Sequence, residues 1–355
     1  MKIKLAILER DTSYLGKIVS VFNMKYGEKF EIYSFTDKDV ALATLNQAKI
    51  DVLLADDGFE IDAAALPNRC GLAYLVESSD IDSVRGQRAI FKFQKAELIY
   101  KQILGVYAEK ANDIGGVNFG GDGCKMFIFS SPGGGTGNST MAAACALHFA
   151  KVGKKTLYLN LEKFGGADIF FDAQGQADMS DVIYAIKSKK ANLTLKLESC
   201  VRQDAQGVYF YAQSQIALDM MELGTEDILA LVKELQMTGS YDYIILDMDF
   251  AADKNALSIF RKSHAVILVG DGSDLSNNKI QRAYKAIATM EQNADAPLTS
   301  RMALMYNKFS SKTSHTMEEL GVRLLGGAPR YEHATPKQVV NQLAGMEMFD
   351  QIIRL

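Results

Sequence analysis

A run of glycines that follows an apolar strand constrains the fold of this chain more than any other feature. Residues 126–129 read MFIF, Gly133–Gly137 reads GGGTG, and an alanine-rich helical pattern begins near Ser139. Glycines let the backbone curl so that successive N–H groups point at one anion, and a helix start adds partial positive charge. The order strand, glycine loop, helix therefore predicts a phosphate-binding loop, with a ligand-free turn as the alternative.

At these residues the chain resembles the deviant Walker A ATPases of the MinD/ParA superfamily, whose loop reads K-G-G-x-G-K-[ST]. Glycine stands at position 133 and asparagine at position 138, where the superfamily has its two lysines. The resemblance implies that ATP is bound, with Mg²⁺ on Ser139, by a loop of eight residues: Gly133, Gly134, Gly135, Thr136, Gly137, Asn138, Ser139 and Thr140. Because lysine offsets the charge that develops in phosphoryl transfer, its loss is expected to slow hydrolysis roughly 10²-fold or more.

Three further strand ends, within a resemblance that covers residues 124–345, match the same superfamily. Asp247 stands at the Walker B position and would hold Mg²⁺ opposite Ser139, while Glu162 keeps one carboxylate of switch I, where Asn160 replaces an acid. The resemblance makes Glu162 and Asp247 the catalytic candidates. Asn307 and Lys308 end a strand that, in the superfamily, ends in a residue that recognises the adenine base. Since these residues end parallel strands, we expect them at one edge of the sheet.

The first 107 residues alternate strands and helices in a five-strand pattern and resemble a response-regulator receiver domain. The resemblance implies a pseudo-phosphosite of four residues: Glu9, Asp56, Ser78 and Lys92. Asp56 takes the place of the phosphate-accepting aspartate. Arg10 stands where receivers carry a second acid, which would put positive charge at the metal site. We interpret the segment as an atypical receiver used for docking. The alternative is a working phosphoswitch in which Asp57 serves as the second acid.

These patterns predict an α/β protein made of two doubly wound domains. The receiver-like domain spans residues 1–107, a glycine-rich linker spans 108–123, and a P-loop NTPase-like nucleotide-binding domain spans 124–355. The near-continuous apolar strands of the second domain predict a parallel sheet that is covered on both faces.

An atypical receiver followed by a degraded Walker loop resembles the TadZ/CpaE family, which accompanies tight-adherence (Flp) pilus machines and places them at a cell pole. The resemblance implies a cytoplasmic localisation factor that forms a nucleotide-linked homodimer and contacts the pilus secretion machinery or a polar protein. Such a chain would be at most a slow ATPase. The alternatives are a slow ATPase that cycles on and off the pole and a ParA-like DNA-partitioning protein.

Composition narrows the choice of partner and compartment. The 39 basic and 43 acidic residues give a net charge of -4, so no specific nucleic acid is expected. Four distant cysteines without a CxxC pair argue against disulfides and zinc and favour a reducing cytoplasm. No apolar run reaches the roughly 18 residues of a membrane span, and the N-terminus reads as a strand instead of a signal peptide. Pro336–Leu355 has an apolar stripe with few basic residues, which predicts a closing helix on the sheet and at most indirect membrane contact.

Overall fold

The computed structural model describes residues 2–110, 124–188, 193–291, 297–317 and 320–355. The chain divides into two compact units, one of Met1–Val117 with Ser188–Cys200 and one of Asn118–Lys187 with Val201–Leu355. Both units are α/β with mainly parallel sheets, as the sequence predicts. Most of the predicted linker, residues 111–123, lies outside the described residues, and the boundaries 1–107, 108–123 and 124–355 stay a prediction.

The first unit begins with nine helices and strands in chain order: β1 (Ile3–Leu8), α1 (Thr12–Tyr26), β2 (Phe30–Phe35), α2 (Lys38–Gln47), β3 (Val52–Asp56), β4 (Gly71–Val76), β5 (Ser83–Val84), β6 (Gln87–Phe91) and α3 (Ala96–Lys110). The sheet order is β2-β1-β3-β4-β6-β5, and only β5 runs antiparallel to its neighbour. Along β1 the side chains alternate between two cores, with Leu5 and Ile7 facing one and Ala6 and Leu8 the other. This alternation follows from the two-residue period of a strand.

Two features of the first unit differ from the five-strand prediction. Residues 83–91 form a hairpin of β5 and β6, and no helix stands between β4 and β6 in this described stretch. Strand β6 ends at Phe91, so Lys92 comes directly after it. Between β3 and β4, where the alternating pattern would place a helix, the described chain forms only a 3-10 turn at Ala63–Ala65.

The rest of the described chain contributes these elements in chain order: β7 (Lys125–Ser130), α4 (Asn138–Lys151), β8 (Thr156–Asn160), α5 (Met179–Lys187), α6 (Leu193–Cys200), β9 (Arg202–Gln203), β10 (Tyr209–Phe210), α7 (Ala217–Met221), α8 (Thr225–Met237), β11 (Tyr243–Asp247), α9 (Lys254–Phe260), β12 (Ala265–Gly270), α10 (Asp274–Met290), β13 (Met302–Phe309), β14 (Arg323–Pro329) and α11 (Pro336–Leu343). The second sheet has the order β14-β13-β12-β7-β11-β8-β10-β9, parallel except for β9.

The helix that follows the glycine loop forms the centre of the second unit. Every residue of α4 from Met141 to Phe149 is buried, which is why its sequence is apolar on all sides. It packs on the same core face as Phe127 and Ile245 of the sheet. Met126 and Ile244, on the other face, are also buried, so both faces are covered as predicted.

The C-terminal stretch packs into the same core, although its geometry differs from one continuous helix. Helix α11 ends at Leu343, and a 3-10 helix covers Glu347–Arg354. Phe349 and Ile352 are fully buried, whereas Ile353 of the predicted stripe is partly exposed. Among the described helices, none combines the length and apolarity that crossing a membrane requires.

Helix α6 belongs to the first unit, although its sequence lies between two strands of the second. Leu195 is buried in the core that β1, α1 and α3 share. The Glu198 carboxylate accepts a hydrogen bond from the Tyr100 hydroxyl at 2.8 Å and pairs with the Lys29 ammonium. Residues 188–200 were not expected in this unit.

Candidate functional site

The polar ends of three neighbouring strands meet at one edge of the second sheet. Strand β11 lies between β7 and β8, and its last residue, Asp247, stands opposite Phe129 of β7 and Asn160 of β8. The glycine loop leaves the sheet just after β7 and leads into α4. The carboxyl ends of parallel strands thus place the loop, the Asp247 carboxylate and the residues after β8 side by side, as the sequence predicts.

The hydroxyls of Ser131 and Thr136 hold the base of the loop. The Ser131 hydroxyl donates to the Val269 carbonyl at 2.6 Å and accepts from the Thr136 hydroxyl at 3.0 Å. It also accepts from the backbone N–H of Gly133 at 3.2 Å. Thr136 is buried, whereas Gly134 and Gly135 are exposed at the tip. These contacts fix the base of the loop and leave its tip open.

The carbonyls of the loop are occupied by the strand end at 307–308. The Asn307 amide donates to the Thr136 carbonyl at 3.0 Å, and the Lys308 ammonium donates to the Gly135 carbonyl at 2.7 Å. Gly137 is required here, because its φ is +82° and a Cβ would lie 2.3 Å from the Asn307 amide nitrogen. The described contacts therefore give Asn307 and Lys308 a buttressing role, and adenine recognition by them stays a prediction.

Past Gly133, the backbone N–H groups of the loop have no partner among the described residues, while the carbonyls of Gly135 and Thr136 are engaged. Within the described part of the chain, the N–H groups of residues 134–140 make no hydrogen bond. Gly137, which caps the N-terminus of α4, supplies no side-chain bond to that helix. A Cβ on Gly134 or Gly135 would meet nothing within 4 Å. This combination of free donors and open space is what an anion-binding loop needs.

The Asp247 carboxylate is fully buried and is surrounded by neutral donors. Its Oδ1 accepts from the Asn138 amide at 2.7 Å, and its Oδ2 accepts from the Tyr158 hydroxyl at 2.7 Å and the Asn160 amide at 3.0 Å. The Asn138 amide also donates to the Phe129 carbonyl at 3.3 Å. Asn138 therefore points inward, at the Walker B carboxylate, and brings no charge to the loop.

A second carboxylate and a hydroxyl complete this edge of the site. The Ser139 hydroxyl donates to Glu162 at 2.9 Å, and the Asn160 amide lies 3.4 Å from the same carboxylate oxygen. Burial and, to a smaller extent, the nearby Glu162 charge together raise the pKa of Asp247 to about 7. Two carboxylates and a hydroxyl are hard oxygen ligands of the kind that Mg²⁺ prefers. The described ranges contain no group of three or more His, Cys, Asp or Glu residues that could hold a metal ion, so a cation here would take its other ligands from water and phosphate.

The structure thus brings together nearly all of the nucleotide-site candidates in the second unit, with Thr140 in the first turn of α4. Two residues that contribute to the site were not predicted: Tyr158, which binds Asp247, and Ser131, which supports the loop. Tyr158 could have been found from the sequence, because it lies two residues before Asn160 and side chains two apart in a strand share a face.

In the first unit, three of the four pseudo-phosphosite residues form one buried cluster. The Lys92 ammonium donates to Asp56 at 2.6 Å and to Glu9 at 3.1 Å. Ser78 is exposed, and among the described residues no hydrogen bond joins it to this cluster; its hydroxyl accepts from the Asp80 N–H at 3.4 Å. Arg10 binds Asp56 instead.

Comparison with protein families and solved structures gives a family match for the first unit and a fold for the second. Residues 1–108 match the family model "TadZ-like, receiver domain". A ParA family ATPase from Chlorobium tepidum TLS is 18% identical, with a TM-score of 0.51, and the match covers 66% of this chain and 98% of that one. MinD in the MinC:MinD cell division complex of Aquifex aeolicus is 16% identical, with a TM-score of 0.49 and coverage of 65% and 94%. A search of curated proteins gives no match.

The likeness to the Chlorobium ATPase establishes the fold of the second unit, and the family match identifies the first. Residues 1–108 therefore match a TadZ-like receiver domain, and the second unit has the fold of a ParA family ATPase.

Proposed function

We propose that this protein binds ATP and acts as a localisation or assembly factor for a tight-adherence (Flp) pilus machine, with slow or impaired hydrolysis. The pilus role rests on the pairing of a TadZ-like receiver with a ParA-type fold, together with the resemblance to the TadZ/CpaE family. We further propose, on the same resemblance, that the protein works in the cytoplasm at a cell pole. Its partners would be the pilus secretion machinery or a polar protein.

Nucleotide binding rests on one observation, the free N–H groups of residues 134–140 around an open loop tip. Backbone donors of this kind hold phosphate oxygens without a cationic side chain, because their dipoles are fixed and point at the anion. Lys308, whose ammonium already lies at the Gly135 carbonyl, adds positive charge beside the loop. The loop can therefore hold a triphosphate after both loop lysines have been lost.

Slow hydrolysis rests on the residue that replaces the second lysine. Asn138 is uncharged, and its amide is taken up by Asp247 and Phe129. Ser139 and Asp247 would hold Mg²⁺, which supplies positive charge to the phosphates when bound. No side chain of the loop adds a cation at the γ-phosphate, so much of the electrostatic stabilisation of phosphoryl transfer is absent.

A direct binding test uses two glycines that both have open space for a side chain. Gly134→Asp places a carboxylate at the loop tip, whereas Gly16→Asp places one on the exposed surface of α1. Titration of each full-length variant with labelled ATP and Mg²⁺ should show saturable binding for the wild type and for Gly16→Asp. Binding should be lost in Gly134→Asp. No saturable uptake by the wild type at millimolar ATP would refute the proposal.

Nucleotide-linked homodimerisation follows from the same resemblance. In the MinD/ParA superfamily the first loop lysine reaches into the partner's site, and here Gly133 removes that contact. We expect Mg-ATP to promote the dimer through ordered loops and side-chain packing. Sedimentation velocity should show a larger species with Mg-ATP than without it. A monomer under both conditions would contradict this part of the proposal.

A slow ATPase that cycles at the pole is the second candidate, favoured by the proximity of Ser139, Glu162 and Asp247. Phosphate release that is saturable in ATP and lost in Asp247→Ala would establish it. The third candidate, a DNA-partitioning protein, predicts retention on DNA that falls with rising salt. The net charge of -4 argues against that behaviour.

A further inference from the structure

The acidic cluster of the receiver domain already contains its own cations. Asp56, Glu9 and Lys92 are each less than 5% exposed. The Lys92 ammonium lies 2.6 Å from Asp56 Oδ2 and 2.9 Å from Glu9 Oε2. Asp56 Oδ1 accepts from the Arg10 Nε at 2.6 Å and from the Gly58 N–H at 3.0 Å. Two buried carboxylates thus face two cations, with the exposed Glu77 carboxylate 3.8 Å from the Lys92 ammonium, and both oxygens of Asp56 are engaged.

Arg10 reaches this carboxylate from the solvent side. Its side chain is 59% exposed, whereas that of Asp56 is 4% exposed. The guanidinium lies over the turn after β3, where a Cβ on Gly58 would be 2.0 Å from Arg10 Cζ. It also lies 5.9 Å from the centre of the Phe59 ring. The guanidinium therefore covers Asp56 where the carboxylate would otherwise be open to water.

The receiver fold implies a divalent cation beside the aspartate, and the residues present do not fit one. Mg²⁺ takes oxygen ligands in near-octahedral geometry, with several waters among them. Here a guanidinium holds one oxygen of Asp56 and an ammonium holds the other. A divalent ion would have to displace Arg10 and would meet the repulsion of Lys92. No phosphoryl-transfer step is therefore derived for the wild-type domain.

We propose that Arg10 occupies the place of the divalent cation, so that the receiver is held in one charge-balanced state and works without metal or phosphorylation. Arg10 acts here as a positioning residue for Asp56. Replacing it with an acid should uncover a metal site formed by three carboxylates. Asp56 should then accept phosphate from acetyl phosphate: a carboxylate oxygen bonds to phosphorus, the bond from phosphorus to the acetyl oxygen breaks, and acetate leaves.

The first experiment counts bound Mn²⁺ on the full-length chain without nucleotide, by electron paramagnetic resonance. Arg10→Asp should bind one more ion per chain than the wild type. Arg85→Asp is the matched control, because Arg85 contacts the same turn through the Asp57 carbonyl and does not bind Asp56. The proposal is overturned if Arg85→Asp gains the same ion, or if a folded Arg10→Asp gains none.

The second experiment adds acetyl phosphate and Mg²⁺ and measures intact mass. Arg10→Asp should gain one phosphoryl group, and the wild type and Arg10→Asp with Asp56→Asn should gain none. Phosphorylation of the wild type would overturn the proposal. Should Arg10→Asp fail to fold, Arg10→Gln decides, because it removes the charge and keeps a polar side chain. Arg10→Gln must gain a weaker ion site, and a folded Arg10→Gln without one refutes the idea.

Discussion

Two buried carboxylates, Asp56 and Asp247, end strands in the two domains and have opposite surroundings. Burial by itself would raise the pKa of both. Hydrogen bonds from Lys92 and Arg10 outweigh it at Asp56, whose pKa is lowered. Asp247 has only neutral donors and a second carboxylate nearby, so its pKa is raised to about 7. The charge of Asp56 is therefore already balanced by Lys92 and Arg10. The charge of Asp247 is not balanced by a cationic side chain, so a cation bound there would be stabilised.

Replacement of Asp56 with asparagine should destabilise the receiver domain by about 3–5 kcal/mol at pH 7, because it leaves two cations without their shared partner. A lowered folded pKa means that this stabilisation is present above the ordinary carboxyl value of 3.8 and is lost as the pH falls below it. Glu9 acts in the opposite sense, because burial raises its pKa. Urea unfolding followed by circular dichroism should show the difference between wild type and Asp56→Asn shrinking between pH 7 and pH 3.

The matched control for this substitution is Asp57→Asn. Among the described residues, the Asp57 side chain makes no hydrogen bond to Lys92 or Arg10. Asp57→Asn should therefore lower the free energy of unfolding far less than Asp56→Asn, at pH 7 and at pH 3. Equal losses for the two variants would mean that the ion pairs at Asp56 contribute little.

Asn138 is the residue at which hydrolysis should be recoverable. Asn138→Lys returns a cation to the end of the loop, beside the phosphates, and should raise the rate of ATP hydrolysis about 10²-fold. Asn138→Met is the control, since it has a similar length and no charge. Phosphate release under saturating ATP measures both variants. A similar rate in the two would show that the missing charge does not limit turnover.

At the scale of elements, the glycine loop depends on its buttress as much as on its own flexibility. Gly137 and Gly153 share a φ of +82°, but a Cβ would strike the Asn307 amide only at Gly137. Gly137→Ala and Gly153→Ala should each lower the free energy of unfolding by about 1–2 kcal/mol, because alanine is strained at positive φ. Gly137→Ala should lose a further 0.5–1.5 kcal/mol, roughly the worth of the displaced hydrogen bond from Asn307. Thermal unfolding and ATP titration check this, and ATP binding should weaken only in Gly137→Ala.

Sequence patterns located the strands and the loop well, because buried parallel strands and glycine turns depend on local residue types. The hairpin of β5 and β6 was not predicted. Its two-residue turn, Arg85-Gly86, has positive φ at both positions, and arginine is an unusual residue there. The inward direction of Asn138 was also not predicted, because spacing fixes where a side chain starts and not which partner it takes.

At the scale of the whole molecule, chain order and spatial grouping differ. The sequence places residues 188–200 inside the nucleotide-binding domain, yet they belong to the compact unit of the receiver. The local sequence does not indicate which unit these residues join, since α6 is a short helix with buried apolar residues that carry no sign of their partner. Its partners, Tyr100 and Lys29, lie about a hundred or more residues earlier in the chain.

The same substitution in each unit tests this grouping. Leu195 of α6 and Leu231 of α8 are both buried, and either change to alanine should cost about 2–5 kcal/mol. In hydrogen-exchange mass spectrometry, Leu195→Ala should accelerate exchange in α1 and α3, because Leu195 packs in their core. Leu231→Ala should leave those helices unchanged and act on its own unit. If Leu195→Ala left α1 and α3 protected, α6 would not be part of the receiver's core in solution.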